Sequence, residues 1–381
     1  MKTCDAQGRC NACHLTNLSY NEQLRLKERT CHRVLSKFCP IEPITESMPY
    51  RYRNKAQFVF RKRDGHTLVS GVYRSSTMTP AATDDCLLCS EQANEIIRVL
   101  RRLFTSFKVV PFDPYSGRGW LRSVTVREAR ATGQVMVVIT GTDAVFPAKR
   151  TFTSALLKAC PAITTVVLTV CADRRLGVGR TASVLYGDGT ITDELMGRRF
   201  LLSPSSFYQI NHDQCERLYR RAIDLGAIDN KVVLDAYCGV GTIGICCADR
   251  AKRVYAVEQN RSAVEDARRN AALNGIENIT FTCADAKDYL RELAEQNVHI
   301  DVALIDPPRA GCAASFLKAL AKTGCTRIVY ISCNPETQAR DLSLLTRLGY
   351  RARICSPFDM FPMTHHVETV VLMTRTDTGQ S

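Results

Sequence analysis

Hydrophobic and polar residues alternate along most of the first half of the chain, and this pattern changes near residue 204. Apolar positions with a period of two indicate β-strands that bury one face. The predicted strands, separated by polar turns that contain glycine, lie at residues 52–60, 67–73, 121–127, 134–141, 164–171 and 181–187. Helical periodicity predicts helices at residues 21–35, 90–104 and 152–159. We therefore expect an α+β domain with a largely antiparallel sheet over residues 48–203, preceded by a Cys-rich segment and a helix in residues 1–47.

After residue 204, short apolar runs alternate with helical patterns. The runs, each followed by a helix, lie at residues 232–235, 254–258, 279–285, 302–306 and 328–333. Two more strands are predicted near residues 351–355 and 367–374. Five strand–helix alternations predict an α/β domain over residues 204–381, with a doubly wound, Rossmann-like parallel sheet. Such sheets bind ligands at the carboxyl ends of their strands, so candidate site residues are expected there.

Basic residues are concentrated in the first half of the chain. The 381 residues include 51 Lys and Arg and 38 Asp and Glu, a formal net charge of +13, and residues 1–200 hold 30 of the basic and 17 of the acidic residues. A local positive excess is typical of proteins that bind a polyanion, with nucleic acid as the first candidate. In the first predicted strand, Arg51, Arg53 and Lys55 alternate with buried-type residues, which predicts one basic face. An edge strand kept soluble by its charges would show the same pattern.

The 18 cysteines make the cellular compartment relevant to their role. The longest uncharged stretch, residues 159–172, has 14 residues, whereas a membrane-spanning helix needs about 20. Residues 1–5 also lack the apolar core of a signal peptide, so we expect a cytoplasmic protein without membrane association or an obligatory protein partner, and a monomer. Because cytoplasmic thiols stay reduced, the cysteines are expected to bind metal, act in catalysis or be buried rather than to form disulfides.

A glycine-rich turn follows the first strand of the Rossmann-like domain. Gly239 to Gly244 match G-x-G-x-x-G, and Glu258 ends the next strand 19 residues after Gly239. Such a turn and an acidic residue for ribose hydroxyls suit either a nicotinamide dinucleotide or S-adenosylmethionine (AdoMet). AdoMet is favoured because the turn lies mid-chain after a basic domain, because Asp285 and Asp306 give an acidic rim suited to a sulfonium, and because strand five ends in a cysteine. Each acidic residue could instead cap a helix.

That cysteine, Cys333, lies between the fifth strand and a helix predicted to begin at Pro335, with Asn334 as its N-cap. A helix N-terminus favours the thiolate, so Cys333 is the best candidate nucleophile. Near the C-terminus, a polar loop leads to Glu368 and can place its carboxylate in the same crevice. A thiolate and AdoMet together suit methylation of uracil, because thiolate addition at carbon 6 makes carbon 5 nucleophilic and a base then removes the carbon 5 proton. Cys333 and Glu368 fit these two roles.

Several longer motifs carry a family resemblance. They are residues 52–55 (YRNK), 206–211 (SFYQIN), 235–241 (DAYCGVG), 305–311 (IDPPRAG), 332–335 (SCNP) and 361–368 (FPMTHHVE). With them the chain resembles, over nearly its whole length, the RNA uracil-5-methyltransferase family, whose members act on 23S ribosomal RNA or tRNA. The resemblance implies an AdoMet-dependent methyltransferase domain after residue 204 and a central RNA-binding domain before it. It also implies that the target base is flipped out of the RNA, with stacking groups such as Phe207 to receive it.

The resemblance further implies roles for single residues. It makes Cys333 the nucleophile and Glu368 the general base. The residues expected to bind the cofactor or line the uracil site are Gln209, Tyr237, Gly239, Glu258, Asp285 and Asp306. Family members often have Phe at the position of Tyr237 and Asn at that of Thr242.

Cys4, Cys10 and Cys13 have a spacing typical of metal ligands, which by itself suits zinc and an iron–sulfur cluster equally. The spacing resembles the motif of the family's ribosomal RNA branch, in which a distant fourth cysteine completes a [4Fe-4S] cluster. Cys86 matches the fourth position, and other candidates for it are Cys31, Cys39 and Cys89. Because uracil methylation needs no electron, we expect such a cluster to be structural or to position RNA.

We therefore expect an AdoMet-dependent enzyme that methylates carbon 5 of a specific uridine in 23S ribosomal RNA. The same reaction on tRNA is the alternative, less favoured because the family's tRNA enzyme generally lacks the cysteine cluster. Two other classes are an iron–sulfur RNA-binding or redox module without turnover, against which Cys333 and Glu368 both argue, and a nicotinamide oxidoreductase.

Overall fold

The computed structural model describes residues 4–73, 80–146, 148–171 and 179–376. Residues 1–3 and 377–381, the ends of the expected first and last domains, lie outside these ranges. The helices are α1 (Tyr20–Leu35), α2 (Glu91–Ser106), α3 (Lys149–Ala159), α4 (His212–Gly226), α5 (Thr242–Cys247), α6 (Arg261–Leu273), α7 (Ala286–Glu295), α8 (Ala314–Lys322) and α9 (Pro335–Arg347). The strands are β1 (Lys55–Arg63), β2 (Thr67–Tyr73), β3 (Pro80–Ala82), β4 (Leu121–Glu128), β5 (Val135–Gly141), β6 (Ile163–Val170), β7 (Arg180–Tyr186), β8 (Ile191–Leu195), β9 (Arg198–Leu202), β10 (Val232–Ala236), β11 (Arg253–Glu258), β12 (Ile279–Cys283), β13 (Val302–Ile305), β14 (Arg327–Ser332), β15 (Tyr350–Phe358) and β16 (Glu368–Arg375).

The first sheet has the strand order β3-β2-β1-β4-β5-β6-β7. Its neighbouring strands are antiparallel except for β5 and β6, which run parallel and are connected by α3. The sheet is thus largely antiparallel, as the alternating pattern predicted. The predicted apolar face around β1 is buried, with 1–6% of each side chain exposed at Tyr52, Asn54, Ala56, Phe58 and Phe60. This face packs against α2 through the buried Phe60 and Phe104 rings, whose centroids lie 5.3 Å apart.

The second sheet has the strand order β12-β11-β10-β13-β14-β16-β15. Strands β10 to β14 are parallel, whereas β16 is antiparallel to both of its neighbours. The chain passes from β15 to β16 through residues 359–367 alone, which is shorter than a parallel crossover requires. Helices α4, α5 and α6 pack on one face and α7, α8 and α9 on the other, so the predicted doubly wound, Rossmann-like class is confirmed.

Helix α4 and the β8–β9 hairpin have no counterpart in the sequence prediction. Helix α4 begins after Asn211, whose side chain accepts a hydrogen bond from the Gln214 amide, and it packs on β13, β14 and β16. Its buried residues Cys215, Leu218, Tyr219, Ala222 and Ile223 have helical spacing, a sequence pattern from which the helix could have been predicted. The hairpin packs on α5 and α6 of the second sheet, although it precedes the expected boundary at residue 203.

The N-terminal segment is divided between the two sheets. Helix α1 packs on α9 and β15, with Leu35 buried in the core of the second sheet. The preceding turns place Ala12 in the core of the first sheet. The division of the chain at residues 47 and 203 stays a prediction. Among the described residues, no helix has the length and apolar character needed to cross a membrane.

Candidate active site

One cleft of about 660 Å³ opens at the carboxyl ends of the parallel strands. The predicted site residues that line it are Gln209, Tyr237, Gly239, Glu258, Asp306, Cys333 and Glu368. They come from six different segments of the chain, and the fold brings them together. Asp285 is not among the lining residues.

The turn between β10 and α5 requires its glycines, because of their backbone conformation and because a side chain would not fit at Gly244. Gly239 and Gly241 have φ angles of 56° and 81°, in the left-handed region that favours glycine. A Cβ on Gly244 would lie 2.8 Å from Oδ2 of Asp235, the same oxygen that accepts a hydrogen bond from the Gly244 amide at 2.8 Å. The third glycine therefore lets the first turn of α5 approach β10 closely. Burial raises the pKa of Asp235 to about 7.

The two acidic residues that end β11 and follow β12 have different surroundings. Glu258 accepts hydrogen bonds from the backbone amides of Gly239 (3.2 Å) and Asn260 (2.9 Å) and lines the cleft. Asp285 accepts from the amide of Lys287 (2.9 Å) as the N-cap of α7 and from the side chain of Gln259 (2.8 Å). Asp285 thus has the helix-capping role that was the alternative for each acidic residue.

Cys333 lies half-buried at the junction of β14 and α9. As predicted, Asn334 caps the helix, accepting from the Glu336 amide, and Pro335 is its first residue. The prediction that this position favours the thiolate is wrong for the ligand-free protein. Burial, and then the carboxyl groups of Glu368 and Asp306, together raise the pKa of Cys333 to about 11 against the opposing effect of Arg309. The local negative charge and loss of hydration outweigh the helix N-terminus.

Two carboxyl groups are buried beside Cys333. Glu368, only 4% exposed, is the first residue of β16 and pairs with Phe358 across the β15–β16 ladder. Burial, and then the Asp306 carboxyl, raise the pKa of Glu368 well above its ordinary value. Burial raises the pKa of Asp306 to about 7. The cleft therefore holds groups that bind protons more tightly than exposed carboxyls do.

The segment from Ser203 to Asn211 forms another wall of the cleft and is held by the first sheet. The buried guanidinium of Arg127, on β4, donates to the carbonyls of Ser203 and Ser206. The side-chain amide of Asn54 donates to the carbonyl of Gln209 at 2.9 Å. Phe207, by contrast, is 68% exposed at the cleft. The first sheet thus fixes the backbone of a segment that presents one exposed ring and one buried amide to the cleft.

Several lining residues were not predicted to act there. Arg309 and Phe361 lie within the motifs that carried the resemblance, so their motif positions were the available signal. Tyr219, on the unpredicted α4, reaches the cleft and hydrogen-bonds the Thr242 hydroxyl at 3.2 Å. No local pattern connected Tyr219 with the site.

Cys4, Cys10, Cys13 and Cys86 together line one small cavity between the N-terminal turns and the first sheet. The Ala12 amide donates to Sγ of Cys10 at 3.4 Å. Asn94 accepts from the Cys86 amide at 3.0 Å and fixes the turn that carries Cys86. Among the described residues, no group of three or more His, Cys, Asp or Glu side chains is arranged to hold a metal ion.

The other candidate cysteines are placed differently. Cys89 hydrogen-bonds Cys86 and does not line the cavity. Cys31 and Cys39 are buried near Cys355, in the core of the second sheet. The fold therefore brings Cys86, rather than either of these two, to the three N-terminal cysteines.

The predicted basic face formed by Arg51, Arg53 and Lys55 is not a free cationic surface. Arg51 forms an ion pair with Asp85 and donates to the carbonyls of Cys86 and Cys89. Arg53 is near the cysteine cavity, where it lowers the pKa of Cys10 and Cys13. Burial and the neighbouring Arg127 lower the pKa of Lys55 to about 8. These three cations therefore contact other parts of the protein and are not free to bind RNA. The exposed basic residues of this strand lie at its far end, at Lys62 and Arg63.

Comparison with known proteins gives one consistent result. The family model for tRNA (uracil-5-)-methyltransferase matches residues 190–376. A protein of Clostridium tetani, named an uncharacterized RNA methyltransferase, is 35% identical over 97% of this chain and 82% of its own length. A protein of Staphylococcus aureus strain MW2, also named an uncharacterized RNA methyltransferase, is 37% identical over 96% of this chain and 82% of its own length. The crystal structure of Pyrococcus abyssi tRNA (uracil-54, C5)-methyltransferase with S-adenosyl-L-homocysteine has a TM-score of 0.83 and 28% identity, covering 96% of this chain and 85% of that one.

Proposed function

Because the chain belongs to the RNA uracil-5-methyltransferase family, we propose that it methylates carbon 5 of a specific uridine in 23S ribosomal RNA. AdoMet-dependent methylation of RNA uracil follows from the family, which also excludes a nicotinamide oxidoreductase. The choice of ribosomal RNA and the roles of single residues are proposals. The observation that carries the residue roles is that Cys333, Glu368 and the glycine-rich turn share one cleft. The choice of ribosomal RNA rests instead on the four cysteines around one cavity, whose spacing resembles the motif of the family's ribosomal RNA branch.

The cleft has the features that AdoMet requires. No atom lies within 4 Å of a Cβ placed on Gly239, so a ligand can approach the backbone there. Glu258, at the end of β11, suits the ribose hydroxyls, and Gln209, Tyr237 and Asp306 line the remaining walls. AdoMet supplies an electrophilic methyl group on a positively charged sulfur. Asp285 caps α7 and is left out of this assignment.

Cys333 is the proposed nucleophile. Its thiolate adds to carbon 6 of the flipped uracil, a carbon–sulfur bond forms, and the electrons of the carbon 5–carbon 6 double bond move into an enolate. Carbon 5 of this enolate then accepts the methyl group, and S-adenosylhomocysteine is left. The thiol must lose its proton for the first step, and Arg309 favours this because it lowers the pKa of Cys333.

Glu368 is the proposed general base. Its carboxylate takes the proton from carbon 5, the carbon–sulfur bond breaks, and the electron pair returns to Sγ of Cys333, releasing 5-methyluridine. Burial raises the pKa of Glu368, so its carboxylate is a stronger base than one in water. The buried position of Glu368 thus favours the proton transfer that the elimination needs.

Exposed residues at the cleft and on the first sheet suit a flipped base and a polyanion. The exposed ring of Phe207 is available to stack on a nucleobase, as aromatic residues do when RNA is unstacked. The exposed cations at the far end of β1 suit RNA phosphates.

The substrate can be identified by incubating the protein and labelled AdoMet separately with 23S ribosomal RNA and with tRNA, both lacking the modification. Label in 5-methyluridine of 23S RNA supports the proposal, and label in tRNA alone would overturn the choice of ribosomal RNA. tRNA is the second candidate because the similar Pyrococcus abyssi enzyme is named for tRNA uracil-54. No 5-methyluridine in either RNA would contradict the proposed reaction.

We also propose that Cys4, Cys10, Cys13 and Cys86 bind a [4Fe-4S] cluster. Four thiols around one cavity match the ligand number, and the Ala12 amide and Arg53 cation suit a negatively charged cluster. Binding a cluster requires these thiols to move closer together, because among the described residues no three of them are arranged to hold a metal ion. Analysis of protein purified without oxygen tests this. About four iron and four sulfide per chain are expected, whereas one zinc per chain would refute the assignment.

A redox or RNA-binding module without turnover is disfavoured by the presence of both Cys333 and Glu368 in the cleft. We propose that the reaction takes place in the cytoplasm, where ribosomal RNA and reduced thiols are found. We also propose that the protein acts as a monomer.

A further inference from the structure

The loop that connects β15 to β16, residues 359–367, has a direct connection to the proposed chemistry. It ends immediately before Glu368, and Phe361 within it lines the cleft. Cys333 lies on a different segment, at the end of β14. A displacement of this β15–β16 loop would therefore act on the base directly, and on the nucleophile only through the β14–β16 ladder, in which Ser332 pairs with Thr369.

Groups far away in sequence hold the backbone of this loop. Four consecutive carbonyls each accept an outside hydrogen bond: Met360 from the Asn211 side chain (3.1 Å), Phe361 from the Lys27 ammonium (3.0 Å), Pro362 from the Tyr52 hydroxyl (3.1 Å), and Met363 from the amides of His14 (2.8 Å) and Leu15 (3.1 Å). The loop makes few such bonds to its own residues, so its shape depends on the first 211 residues of the chain.

Gln23, on α1, makes the most complete of these attachments. Its side chain is fully buried. Oε1 accepts from the Met363 amide at 3.0 Å, and Nε2 donates to the carbonyls of Leu15 (3.2 Å) and Leu18 (3.1 Å). One amide thus joins α1, the turn before it and the loop, with its hydrogen-bonding capacity used on both sides.

Lys27 lies one helical turn further along α1 and makes a second attachment. Its ammonium forms an ion pair with Asp359 at the start of the loop, and both side chains are at most 1% exposed. Because both groups are shielded from solvent, water cannot hydrate either charge in place of its partner. The start and the middle of the loop are therefore attached to the same face of α1.

Met363 shows why the loop needs these attachments. Its φ angle of 68° lies in the left-handed region, which a side chain with a Cβ rarely adopts. Its backbone amide and carbonyl are both held by the N-terminal segment. Such a conformation persists only where the surroundings determine it.

We propose that Gln23 is a positioning residue for Glu368: through the β15–β16 loop, it sets the base in place for removal of the carbon 5 proton. The proposal rests on the function proposed above. Loss of the Gln23 amide should slow elimination, in which Glu368 takes the proton and the carbon–sulfur bond breaks. It should affect thiolate addition much less, because Cys333 is held by β14 and α9.

The test is a single-turnover reaction of Gln23→Leu with substrate RNA and AdoMet labelled in the methyl group. Denaturing gels measure the methylated covalent protein–RNA adduct over time. We expect adduct formation to change less than about 3-fold and adduct resolution to slow about 10- to 100-fold, the scale of effect for a misplaced catalytic group. A uniformly destabilised protein would instead lose both steps together.

Two further variants make the test specific. Tyr52→Phe removes the hydroxyl that donates to Pro362 and also hydrogen-bonds Arg53, and it leaves a ring of the same shape, so it should slow resolution in the same direction, about 3- to 5-fold. Asn278→Leu is the matched control, because its side-chain amide also donates to two backbone carbonyls, of Ala248 and Ala251, at the opposite end of the sheet. Asn278→Leu should leave the ratio of the two rates unchanged.

The outcomes separate this proposal from the proposed function. Adduct accumulation with Glu368→Gln but with neither Gln23→Leu nor Tyr52→Phe would overturn the positioning role alone. Equal slowing of formation and resolution in both variants would do the same. Absence of an adduct with Glu368→Gln, together with full activity of Cys333→Ala, would overturn the proposed function.

Discussion

At the scale of single residues, the cleft combines a thiol with two buried carboxyls. The pKa of Cys333 is raised to about 11, and those of Asp306 and Glu368 are raised as well. Burial disfavours the charged form of each group, the Asp306 carboxyl adds to this effect at Glu368, and both carboxyls add to it at Cys333. The ligand-free site is therefore expected to hold protons that leave when substrates are bound.

Replacing the two proposed catalytic residues should have different effects. Cys333→Ala should abolish 5-methyluridine formation, because no thiolate can add to carbon 6. Glu368→Gln should allow addition and methylation but trap the covalent adduct, because the carbon 5 proton stays. Denaturing gels with labelled AdoMet show the trapped species. An adduct formed by Cys333→Ala would contradict the assignment of the nucleophile.

The raised pKa of Cys333 predicts slow alkylation in the ligand-free protein. Since only the thiolate reacts, its alkylation rate should rise about tenfold per pH unit up to about pH 11. Mass spectrometry of the peptide containing Cys333 measures the rate, with the exposed Cys283 in the same digest as a check on the reagent. A rate that is already constant between pH 7 and 9 would show that the thiolate forms without substrate.

At the scale of elements, periodicity predicted most strands and helices, and it failed where tertiary contacts decide. Strands β10 to β14 were predicted because their buried runs alternate with helices. The partners of β16 could not be predicted, because its antiparallel direction depends on the short loop before it. The β8–β9 hairpin gives a weak pattern, and its membership in the second sheet's core depends on packing against α6. The site residues were predictable because they lie in sequence motifs, whereas Tyr219 and Gln23 act through contacts distant in sequence.

Strand β1 carries a prediction about RNA affinity. Lys62 and Arg63 are exposed at its end, about 23 and 26 Å from Lys55 along the strand at 3.3 Å per residue. The double variant Lys62→Ala/Arg63→Ala should weaken RNA binding and lower the slope of log K against log salt by about 1.4, if each cation contacts one phosphate of a single strand. Saturating RNA should restore the turnover rate.

The matched control is Lys322→Ala, which removes an exposed cation at the C-terminal end of α8. Binding titrations at several salt concentrations measure both variants. Equal losses in the two variants would mean that the end of β1 is not a specific RNA contact.

At the scale of the whole molecule, the first sheet holds one wall of a cleft that the second sheet forms. Arg127 and Asn54 bind the backbone of residues 203–211, and the N-terminal segment holds the β15–β16 loop. The positive charge excess of the first half thus accompanies a direct role in shaping the site. Sequence could show this charge division, but it could not show that the halves share hydrogen bonds.

Stability of the whole molecule should depend on pH through Asp235. Its pKa is about 7 in the folded protein against an ordinary value of 3.8, so the folded state binds a proton that the unfolded state has lost. This contribution to stability is present below about pH 4 and is lost as the pH rises through 7. Asp235→Asn should therefore raise the free energy of unfolding of the AdoMet-free protein at pH 8 by an amount on the order of 4 kcal/mol, and raise its Tm accordingly.

Thermal unfolding at a series of pH values tests this prediction. The Tm difference between Asp235→Asn and the original protein should widen from about pH 4 to pH 7 and then stay constant. A difference that is independent of pH would show that Asp235 is ionised in the folded protein. Binding of AdoMet is measured separately, because Asp235 supports the glycine-rich turn.

The ion pair between Lys27 and Asp359 joins residues 332 positions apart. During translation at about 5–20 residues per second, Lys27 is synthesised roughly 17–66 s before its partner Asp359. The buried face of helix α1 is covered only after α9, β15 and the β15–β16 loop have been synthesised. Nascent chains that stop short of residue 359 lack the whole loop beside Glu368, including Met363, which packs in the core of the first sheet. The geometry proposed for catalysis is therefore completed only at the end of synthesis, and a copy terminated before residue 359 is expected to be inactive.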